Sequence, residues 1–292
     1  MNSNVEKILD GSLVANSILE YLKKEISQLS EKPGLATIIV GENKASQIYV
    51  KNKIKTCEKI GIKSFNYCLK KDVKKEEVFS LIKKLNIDKN VHGILLQLPL
   101  PDHINSFDAT NAILPEKDVD GFTQKNAGNL FLNPNLNSFV SCTPLGIIKL
   151  LKYYNIPIEK KNVVIIGRSN IVAKPLGMLF LQKNATVTFT HSYTKDLKNH
   201  TQRADILVSA VGKPKFITSD MVKENSIIID VGINRLENKK IVGDVDFDNV
   251  IEKVSKITPV PGGVGPLTIA MLMQNTLKSF KNKKNGENKC TI

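Results

Sequence analysis

Short apolar strands alternate with helical segments along almost the whole chain, and this alternation constrains the fold more than any other feature. Apolar residues at helical spacing over 14–29 precede a Pro33-Gly34 turn and the apolar run 35–40. The same order then recurs, with a helix near 45–60, a strand near 63–69, a helix near 75–86 and a strand at 93–97. Apolar strands separated by helices are typical of a mainly parallel sheet with both faces covered.

A second series of strands follows a polar, asparagine-rich stretch at 126–137. Short β-runs at 162–166, 186–190, 205–209 and 226–230 are again separated by helical segments. Because 292 residues exceed one ordinary domain, we predict an α/β protein of two domains. The boundary falls near 140–146, and a helix at 144–154 connects the two parts.

The formal net charge of +14 raises the question of nucleic-acid binding. Of the 42 basic residues only Arg168, Arg203 and Arg235 are arginines, and the lysines are scattered without interleaved aromatic residues. Arginine is the residue best suited to bidentate contacts with bases and phosphates. We therefore predict no nucleic-acid partner. Attraction of an anionic substrate is an alternative use of the charge.

The cellular compartment follows from what the sequence lacks. No uninterrupted apolar run approaches the ~20 residues of a membrane span, and residues 1–4 lack the charged and apolar regions of a signal peptide. Cys57, Cys68, Cys142 and Cys290 lie far apart and without metal-ligand spacing. We predict a cytoplasmic protein with reduced thiols, no membrane association and no metal.

The segment Gly167-Arg168-Ser169 follows a predicted buried strand directly and precedes a helix. In a dinucleotide-binding fold, the first glycine permits a tight turn and the helix N-terminus presents N–H groups to phosphate. The match to GxGxxG is incomplete, because Ser169 and Val172 occupy the second and third glycine positions. A purely structural turn is therefore an alternative.

The next strand of this series indicates which dinucleotide such a turn would bind. An NAD site usually carries Asp or Glu about 20 residues after the first glycine, where it binds the ribose 2′-hydroxyl. Residues 188–194 at that strand end include hydroxyls and His191 but no carboxylate. Arg168 can pair with a 2′-phosphate through its planar guanidinium. This pattern favours NADP.

The first series of strands carries a second set of chemically suggestive residues. Tyr49 and Lys53 stand four residues apart on one predicted helix face. Gln97 ends a buried strand, where open α/β sheets bind ligands, and Asp120 follows further along the chain. The alternatives are a solvated lysine beside a half-buried tyrosine, and an amide that only caps a loop.

Together these residues belong to six segments that resemble the bifunctional methylenetetrahydrofolate dehydrogenase/cyclohydrolase family. The segments occur in the family's order between residues 41 and 266. They are Gly41…Tyr49-Val-x-x-Lys53, Gln97-Leu-Pro-Leu-Pro101, Lys117-Asp-Val-Asp-Gly121, Cys142-Thr-Pro-x-Gly146, Gly167-Arg-Ser169 and Thr258-Pro-Val-Pro-Gly-Gly-Val-Gly-Pro266.

The resemblance implies two reactions: oxidation of 5,10-methylenetetrahydrofolate with NADP as cofactor, and hydrolysis of the methenyl product to 10-formyltetrahydrofolate. It also implies a homodimer. The alternatives are a dehydrogenase that has lost the hydrolytic step, which the presence of Tyr49, Lys53, Gln97 and Asp120 disfavours, and a basic binding protein on the same scaffold.

The resemblance also assigns roles to individual residues. Tyr49 would stack on the folate. Lys53, with a pKa lowered by burial and an amine held by Gln97, would act in the hydrolysis. Asp120 would bind the pterin. Further substrate contacts are implied for Leu98, Pro261, Gly262 and Gly263. Contacts with NADP are implied for Gly167, Arg168, Ser169, Ser192 and Ile233.

The implied architecture is an N-terminal catalytic α/β domain with a mainly parallel sheet, a Rossmann-like NADP-binding domain, and a cleft between them. We expect residues 1–145 in the catalytic domain, joined by a returning helix at 268–282, residues 146–267 in the cofactor domain, and a flexible tail at 283–292. The chain departs from the family pattern at Ala173, where glycine is usual. A helical φ there would make the added methyl harmless, whereas a close cofactor would bind more weakly.

Overall fold

The computed structural model describes residues 4–42, 44–132 and 138–289, apart from the side chains of residues 44–46, 48 and 285–289. The chain divides into two compact units. Residues Ser17–Ser141 and Ile269–Ile292 form the three-stranded unit, and Met1–Asn16 and Cys142–Thr268 form the five-stranded unit.

The first half of the chain contains three strands and five helices among its described residues. The strands are β1 (Gly34–Val40), β2 (Lys63–Leu69) and β3 (Gly93–Leu96), and the helices are α1 (Gly11–Ser27), α2 (Lys44–Ile60), α3 (Lys75–Ile87), α4 (Ser106–Asn111) and α5 (Gln124–Leu132). The strand order is β2-β1-β3 and both pairings are parallel. Every residue of β1 is buried, as expected for a central strand covered on both faces.

The core of the three-stranded unit forms where α3 packs against this sheet. Val78 and Ile82 on α3 are fully buried in one cluster with Ile38 of β1 and Ile94 of β3. Their spacing of four residues places both on one helix face. The exposed residues at the first turn of α3 include Glu76 and Glu77, whose charge suits a helix N-terminus. The amphipathic pattern therefore accounts for how this helix sits on the sheet.

The second half of the chain supplies the remaining elements. The helices are α6 (Cys142–Tyr153), α7 (Ala173–Leu181), α8 (Leu197–Thr201), α9 (Phe247–Val250) and α10 (Val264–Lys289). The strands are β4 (Asn162–Ile166), β5 (Thr186–Thr190), β6 (Ile206–Ser209), β7 (Ile227–Asp230), β8 (Asn234–Arg235), β9 (Ile241–Val242) and β10 (Lys256–Ile257). The main sheet has the order β10-β7-β6-β4-β5 with parallel pairings, and β8 pairs with β9 in an antiparallel hairpin.

The structure confirms the predicted α/β class with mainly parallel sheets. The strands at 162–166 and 186–190 have the predicted bounds, and β6 and β7 each begin one residue later than expected. The short elements α4, α5, α9 and β8–β10 were not predicted. The helix α10 begins before residue 268 and continues to Lys289, into the segment where we expected a tail. Residues 290–292, and residues 133–137 of the predicted polar stretch at 126–137, lie outside the described residues, whereas residues 126–132 belong to α5.

Two further sequence expectations concern membranes and thiols. No helix within the described ranges is long and apolar enough to cross a membrane. Cys57 and Cys142 are buried and Cys68 is exposed, and no disulfide joins them. The fourth cysteine, Cys290, falls outside the described part of the chain.

Candidate functional site

In each sheet, the candidate residues follow the strands at which the strand order reverses. After β1 the chain adds β2 on one side of it and then β3 on the other, and after β4 it adds β5 and then β6 in the same way. Ligands of open α/β sheets bind at such reversal points, beyond the carboxyl ends of the strands. Gln97 follows β3 and Gly167 follows β4. Topology therefore places both candidate groups where a ligand site is expected.

Lys53 and Gln97 are in direct contact in the three-stranded unit. The Lys53 Nζ atom donates a hydrogen bond to Gln97 Oε1 at 3.0 Å, and Gln97 Nε2 donates to the Leu98 carbonyl at 2.7 Å. The backbone N–H of Gln97 continues the sheet by donating to the Ile38 carbonyl at 2.9 Å. Lys53 lies on α2 and is only 8% exposed. The sheet thus fixes the backbone of Gln97, and the side-chain amide of Gln97 holds the buried amine of Lys53.

Tyr49 lies one turn before Lys53 on α2, so both side chains leave the same helix face. The tyrosine is half-buried, and this burial raises the pKa of its phenol above the ordinary value. A phenol is already uncharged at neutral pH, and this shift moves it further from ionisation. A neutral aromatic ring beside a buried amine provides a surface on which a flat heterocycle can stack.

The carboxylate of Asp118 organises the turn that carries Asp120. Asp118 is 1% exposed, and its Oδ1 atom accepts the backbone N–H groups of Gly121 (3.0 Å) and Phe122 (3.1 Å). Its Oδ2 atom accepts the N–H of Thr123 at 2.8 Å and an amide N–H of Asn126 at the same distance. Asp120 itself is half-buried. The sequence indicated Asp120 but not the supporting role of Asp118, for which the signal was an Asp three residues before a glycine.

The remaining predicted substrate residues belong to the five-stranded unit. Gly262 has a φ of 101°, a conformation that glycine adopts most readily, and its carbonyl accepts the N–H of Ser12 at 2.9 Å. A Cβ atom on Gly263 would stand 2.4 Å from the Pro259 carbonyl oxygen. The backbone of the segment from Pro261 to Gly263 is therefore closely packed within its own unit.

The Gly167 turn joins β4 to α7 and begins in a conformation that favours glycine. Gly167 has a φ of 134°, and a Cβ atom there would lie 2.8 Å from the Ala210 carbonyl oxygen. Ser169 Oγ accepts the N–H groups of Val172 (3.3 Å) and Ala173 (3.2 Å) and so caps the N-terminus of α7. Ser169 thus has a structural role in addition to its position beside the turn.

Ala173, the departure from the family pattern, is the first residue of α7. Its φ is not positive, so its backbone does not require glycine. Its side chain is fully buried and is not among the residues that line the neighbouring pocket. The added methyl group therefore lies inside the unit.

A pocket of about 400 Å³ opens at the carboxyl ends of β4, β5 and β6. The turn after β4 contributes Gly167 and Arg168, the segment after β5 contributes His191 and Ser192, and the loop after β6 contributes Lys213. Among the described residues that line it, none is Asp or Glu. Arginine, lysine and hydroxyl donors without a carboxylate fit a ligand that carries an additional phosphate, as NADP does relative to NAD. Ile233 does not line this pocket.

Asp244 fixes the loop after β6. This fully buried carboxylate accepts the backbone N–H groups of Val211 (2.8 Å), Gly212 (3.2 Å) and Lys213 (3.0 Å). It also accepts the Ser209 hydroxyl at 3.2 Å and the side-chain amide of Asn234 at 2.9 Å. A residue more than 30 positions further along the chain therefore fixes this part of the pocket wall. Nothing in the local sequence around Asp244 indicated this role.

Asp230, at the end of β7, supports Asp244 in turn. Its Oδ1 atom accepts the N–H groups of Gly232 (2.9 Å) and Asp244 (3.0 Å), and its Oδ2 atom accepts that of Val245 at 2.9 Å. Burial raises the pKa of the Asp230 carboxyl to about 6, although its three N–H donors act in the opposite direction. A Cβ atom on Gly232 would lie 2.1 Å from Asp244 Oδ1, so this position admits only glycine. Gly232 immediately precedes Ile233, a predicted cofactor residue.

Comparison with known proteins gives consistent matches to both halves of the chain. Residues 9–120 match the tetrahydrofolate dehydrogenase/cyclohydrolase catalytic domain, and residues 141–284 match the NAD(P)-binding domain of the same family. The bifunctional protein FolD of Sulfurihydrogenibium sp. (strain YO3AOP1) is 55% identical over 281 residues, which cover 94% of this chain and 98% of that protein.

Solved structures give the same result. The bifunctional FolD methylenetetrahydrofolate dehydrogenase/cyclohydrolase of Campylobacter jejuni matches with a TM-score of 0.93 and 52% identity, covering 94% of this chain and 99% of that one. The Trypanosoma brucei methylenetetrahydrofolate dehydrogenase-cyclohydrolase, complexed with NADP cofactor and inhibitor, matches with a TM-score of 0.91 and 37% identity, covering 94% and 97% of the two chains.

The Asp244 network predicts a large stability effect. Substitution of Asp244→Ala leaves one buried and four part-buried donors without their acceptor and replaces a fully buried carboxylate, and we expect the free energy of unfolding to fall by about 3 kcal/mol. The matched control is Asp248→Ala, which removes an exposed carboxylate from the same segment and should change stability by less than about 0.5 kcal/mol. Urea titrations followed by circular dichroism compare the two variants. Equal unfolding midpoints would show that the network contributes little.

Proposed function

The chain belongs to the tetrahydrofolate dehydrogenase/cyclohydrolase family, and on this premise we propose which of its residues carry the two reactions. It is a bifunctional enzyme. It oxidises 5,10-methylenetetrahydrofolate to 5,10-methenyltetrahydrofolate with NADP, and it hydrolyses the methenyl compound to 10-formyltetrahydrofolate. The observation that carries the assignment of residues is the hydrogen bond between Lys53 and Gln97 beside Tyr49, at the reversal point of the three-stranded sheet.

The first reaction depends mainly on positioning. Lone pairs of the two folate nitrogens assist departure of hydride from the carbon that bridges them, so no strong acid or base is needed. NADP, when bound, supplies the hydride acceptor. Tyr49 provides the aromatic surface on which we propose that the folate stacks. Such positioning lowers the barrier by holding the reacting carbon in place.

The second reaction adds water to the cationic methenyl carbon, and a group must accept the proton that the water loses. We assign this role to Lys53. In its neutral form, the Lys53 amine would accept the water proton while one of its N–H groups stays bonded to Gln97 Oε1. The water oxygen bonds to the carbon as its first proton passes to Lys53. The new hydroxyl then loses its second proton as the bond from the carbon to N5 breaks and N5 gains a proton. The carbon remains on N10 as the formyl group, and the positive charge of the methenyl compound leaves as the one proton released to solvent.

Gln97 and Asp120 complete the proposed substrate contacts of the three-stranded unit. Gln97 keeps its orientation because its amide N–H donates to the Leu98 carbonyl, which leaves Oε1 for Lys53. The carboxylate of Asp120 would accept hydrogen bonds from the pterin amino and ring N–H groups. The turn that carries it is already fixed by Asp118, so binding does not have to order this backbone. Pro261, Gly262 and Gly263 are proposed as further backbone neighbours of the folate.

The cofactor assignment rests on the pocket of the five-stranded unit. Gly167 and Arg168 line it, which supports the proposal that Gly167 lets the dinucleotide approach the backbone and that Arg168 pairs with the 2′-phosphate. Ser192 lines the same pocket. Ser169 and Ile233 are proposed as neighbours of NADP on the basis of the family pattern, and Gly232 and the Asp230 carboxylate fix the backbone just before Ile233. Among the described residues, no group of three or more His, Cys, Asp and Glu side chains is arranged to hold a metal.

A Lys53→Met variant separates the two reactions. It removes the proton acceptor while keeping a side chain of similar length, so we expect hydrolysis of methenyltetrahydrofolate to fall by at least about 100-fold. Binding of NADP, measured by calorimetric titration, should change by less than about twofold, because the cofactor pocket is formed by other residues.

The matched control is Lys55→Met, which removes an exposed lysine from the same helix. Its hydrolysis rate should equal that of the wild type. Normal hydrolysis by the Lys53→Met variant would reject the assignment of Lys53, and a wild type that forms no 10-formyl product would reject the bifunctional assignment as a whole.

We further propose a cytoplasmic homodimer. Strand β5 lies at one edge of the five-stranded sheet, and exposed apolar side chains stand beside it: Leu181 is 56% exposed and Phe189 is 36% exposed. Exposed edge strands with apolar neighbours are suited to pairing with a second copy. In sedimentation experiments the wild type should have twice the mass of one chain, and Leu181→Glu should shift it towards the monomer. A monomeric wild type would contradict the dimer, and a dimeric variant would contradict the use of this face.

A further inference from the structure

The loop after β6 carries a lysine at the cofactor pocket whose role the family pattern does not assign. We propose that Lys213 is a second cation for the 2′-phosphate of NADP, which it binds together with Arg168, and that it thereby contributes to selection of NADP over NAD. The inference rests on the binding of NADP in the pocket described above. It concerns the ammonium group of Lys213, to which the family pattern assigns no contact with NADP.

The order of the strands brings Lys213 and Arg168 into one pocket. In the sheet, β4 lies between β6 and β5, and all three strands run parallel. The segments that follow them therefore emerge side by side at the same edge. Arg168 follows β4, Ser192 follows β5 and Lys213 follows β6, and all of them line the same pocket.

The backbone around Lys213 is fixed before any ligand binds. The Lys213 N–H donates to Asp244 Oδ1 at 3.0 Å, and the preceding N–H groups of Val211 and Gly212 donate to Asp244 Oδ2. Gly212 has a φ of 66°, a conformation that glycine adopts without strain, and Pro214 restricts the backbone of the residue before it. A preorganised loop costs less conformational entropy on binding than a mobile one.

The ammonium group of Lys213 also has a defined position. Its Nζ atom stands 5.4 Å from the centroid of the Phe216 ring, and Phe216 lines the same pocket. The cation at Arg168 has a similar arrangement, with its guanidinium carbon 5.5 Å from the centroid of the Tyr193 ring. Each cation therefore lies over an aromatic face. A cation–π contact is weak and uses no N–H hydrogen bond, so the N–H groups stay available for an anion.

The charges around the pocket favour a phosphate with more than one negative charge. Arg168 and Lys213 are its cationic lining residues, and among the described lining residues none is acidic. Asp244, whose carboxylate accepts the N–H of Lys213, is fully buried and is not a lining residue, and it already accepts five donors. A 2′-phosphate is largely dianionic at neutral pH, so two cations match its charge better than one.

The test compares cofactor binding by Lys213→Gln and the wild type, measured by isothermal titration calorimetry with NADP, NAD and 2′,5′-ADP. We expect the variant to bind NADP and 2′,5′-ADP about 10-fold more weakly, because one charge-assisted contact is lost. Binding of NAD should change by less than about twofold, because it lacks the 2′-phosphate. Lys213→Arg should restore binding of NADP to within about threefold of the wild type, since the cation is retained.

The control is Lys195→Gln, which removes the same charge from an exposed position just beyond Thr194 that does not line the pocket. It should leave all three affinities within about twofold of the wild type. An equal loss of NADP and NAD binding by Lys213→Gln would overturn the inference, because it would place Lys213 against the pyrophosphate. Unchanged binding of NADP would overturn it as well. A wild type with equal affinity for NADP and NAD would instead reject the NADP assignment, and the inference with it.

Discussion

In each unit, a buried carboxylate accepts the backbone N–H groups of a loop that carries one of the residues proposed to bind a ligand. In a parallel sheet, the loops at the carboxyl ends of strands leave the ladder and carry N–H groups that need other acceptors. Asp118 supplies them for the turn at Gly121–Thr123, and Asp244 supplies them for the loop at Val211–Lys213. A carboxylate has two oxygens with about four acceptor sites, so one side chain can fix a whole turn. These carboxylates are structural. Asp120 stands on the turn that Asp118 holds and Lys213 stands on the loop that Asp244 holds, whereas Tyr49 and Lys53 stand on α2.

The sequence predicted elements that depend on local patterns and did not predict contacts between distant residues. Strands such as β4 and β5 were predicted with their observed bounds, because each is a short β-rich run that ends at a glycine, polar residue or strong turn signal. Strands β8 and β9 have two residues each, which is too short for an alternation of apolar and polar residues to reveal them in the sequence. The hydrogen bond between Lys53 and Gln97 could likewise not be read from local sequence patterns. They are separated by 44 positions, and only the parallel order of β1 and β3 brings Gln97 to the helix that carries Lys53.

Long-range acceptors were the main feature that sequence analysis missed. Asp244 follows β9, the second strand of the hairpin, and accepts donors from residues 31–35 positions earlier in the chain. Spacing rules describe neighbours on one helix or strand, and they contain no information on such contacts. By contrast, the question at Ala173 was local and conformational. The helical position of Ala173 answers its backbone part, because a helical φ does not require glycine.

The central claim is that one chain completes both reactions, oxidation and hydrolysis, without requiring a second enzyme. The most direct measurement is a single-turnover reaction of methylenetetrahydrofolate with NADP and excess enzyme, in which NADPH, the methenyl compound and the 10-formyl product are quantified over time. The account predicts that the formyl product follows NADPH closely and that the methenyl compound stays at a low level. Accumulation of the methenyl compound, followed by its decay at the rate of uncatalysed hydrolysis, would contradict it.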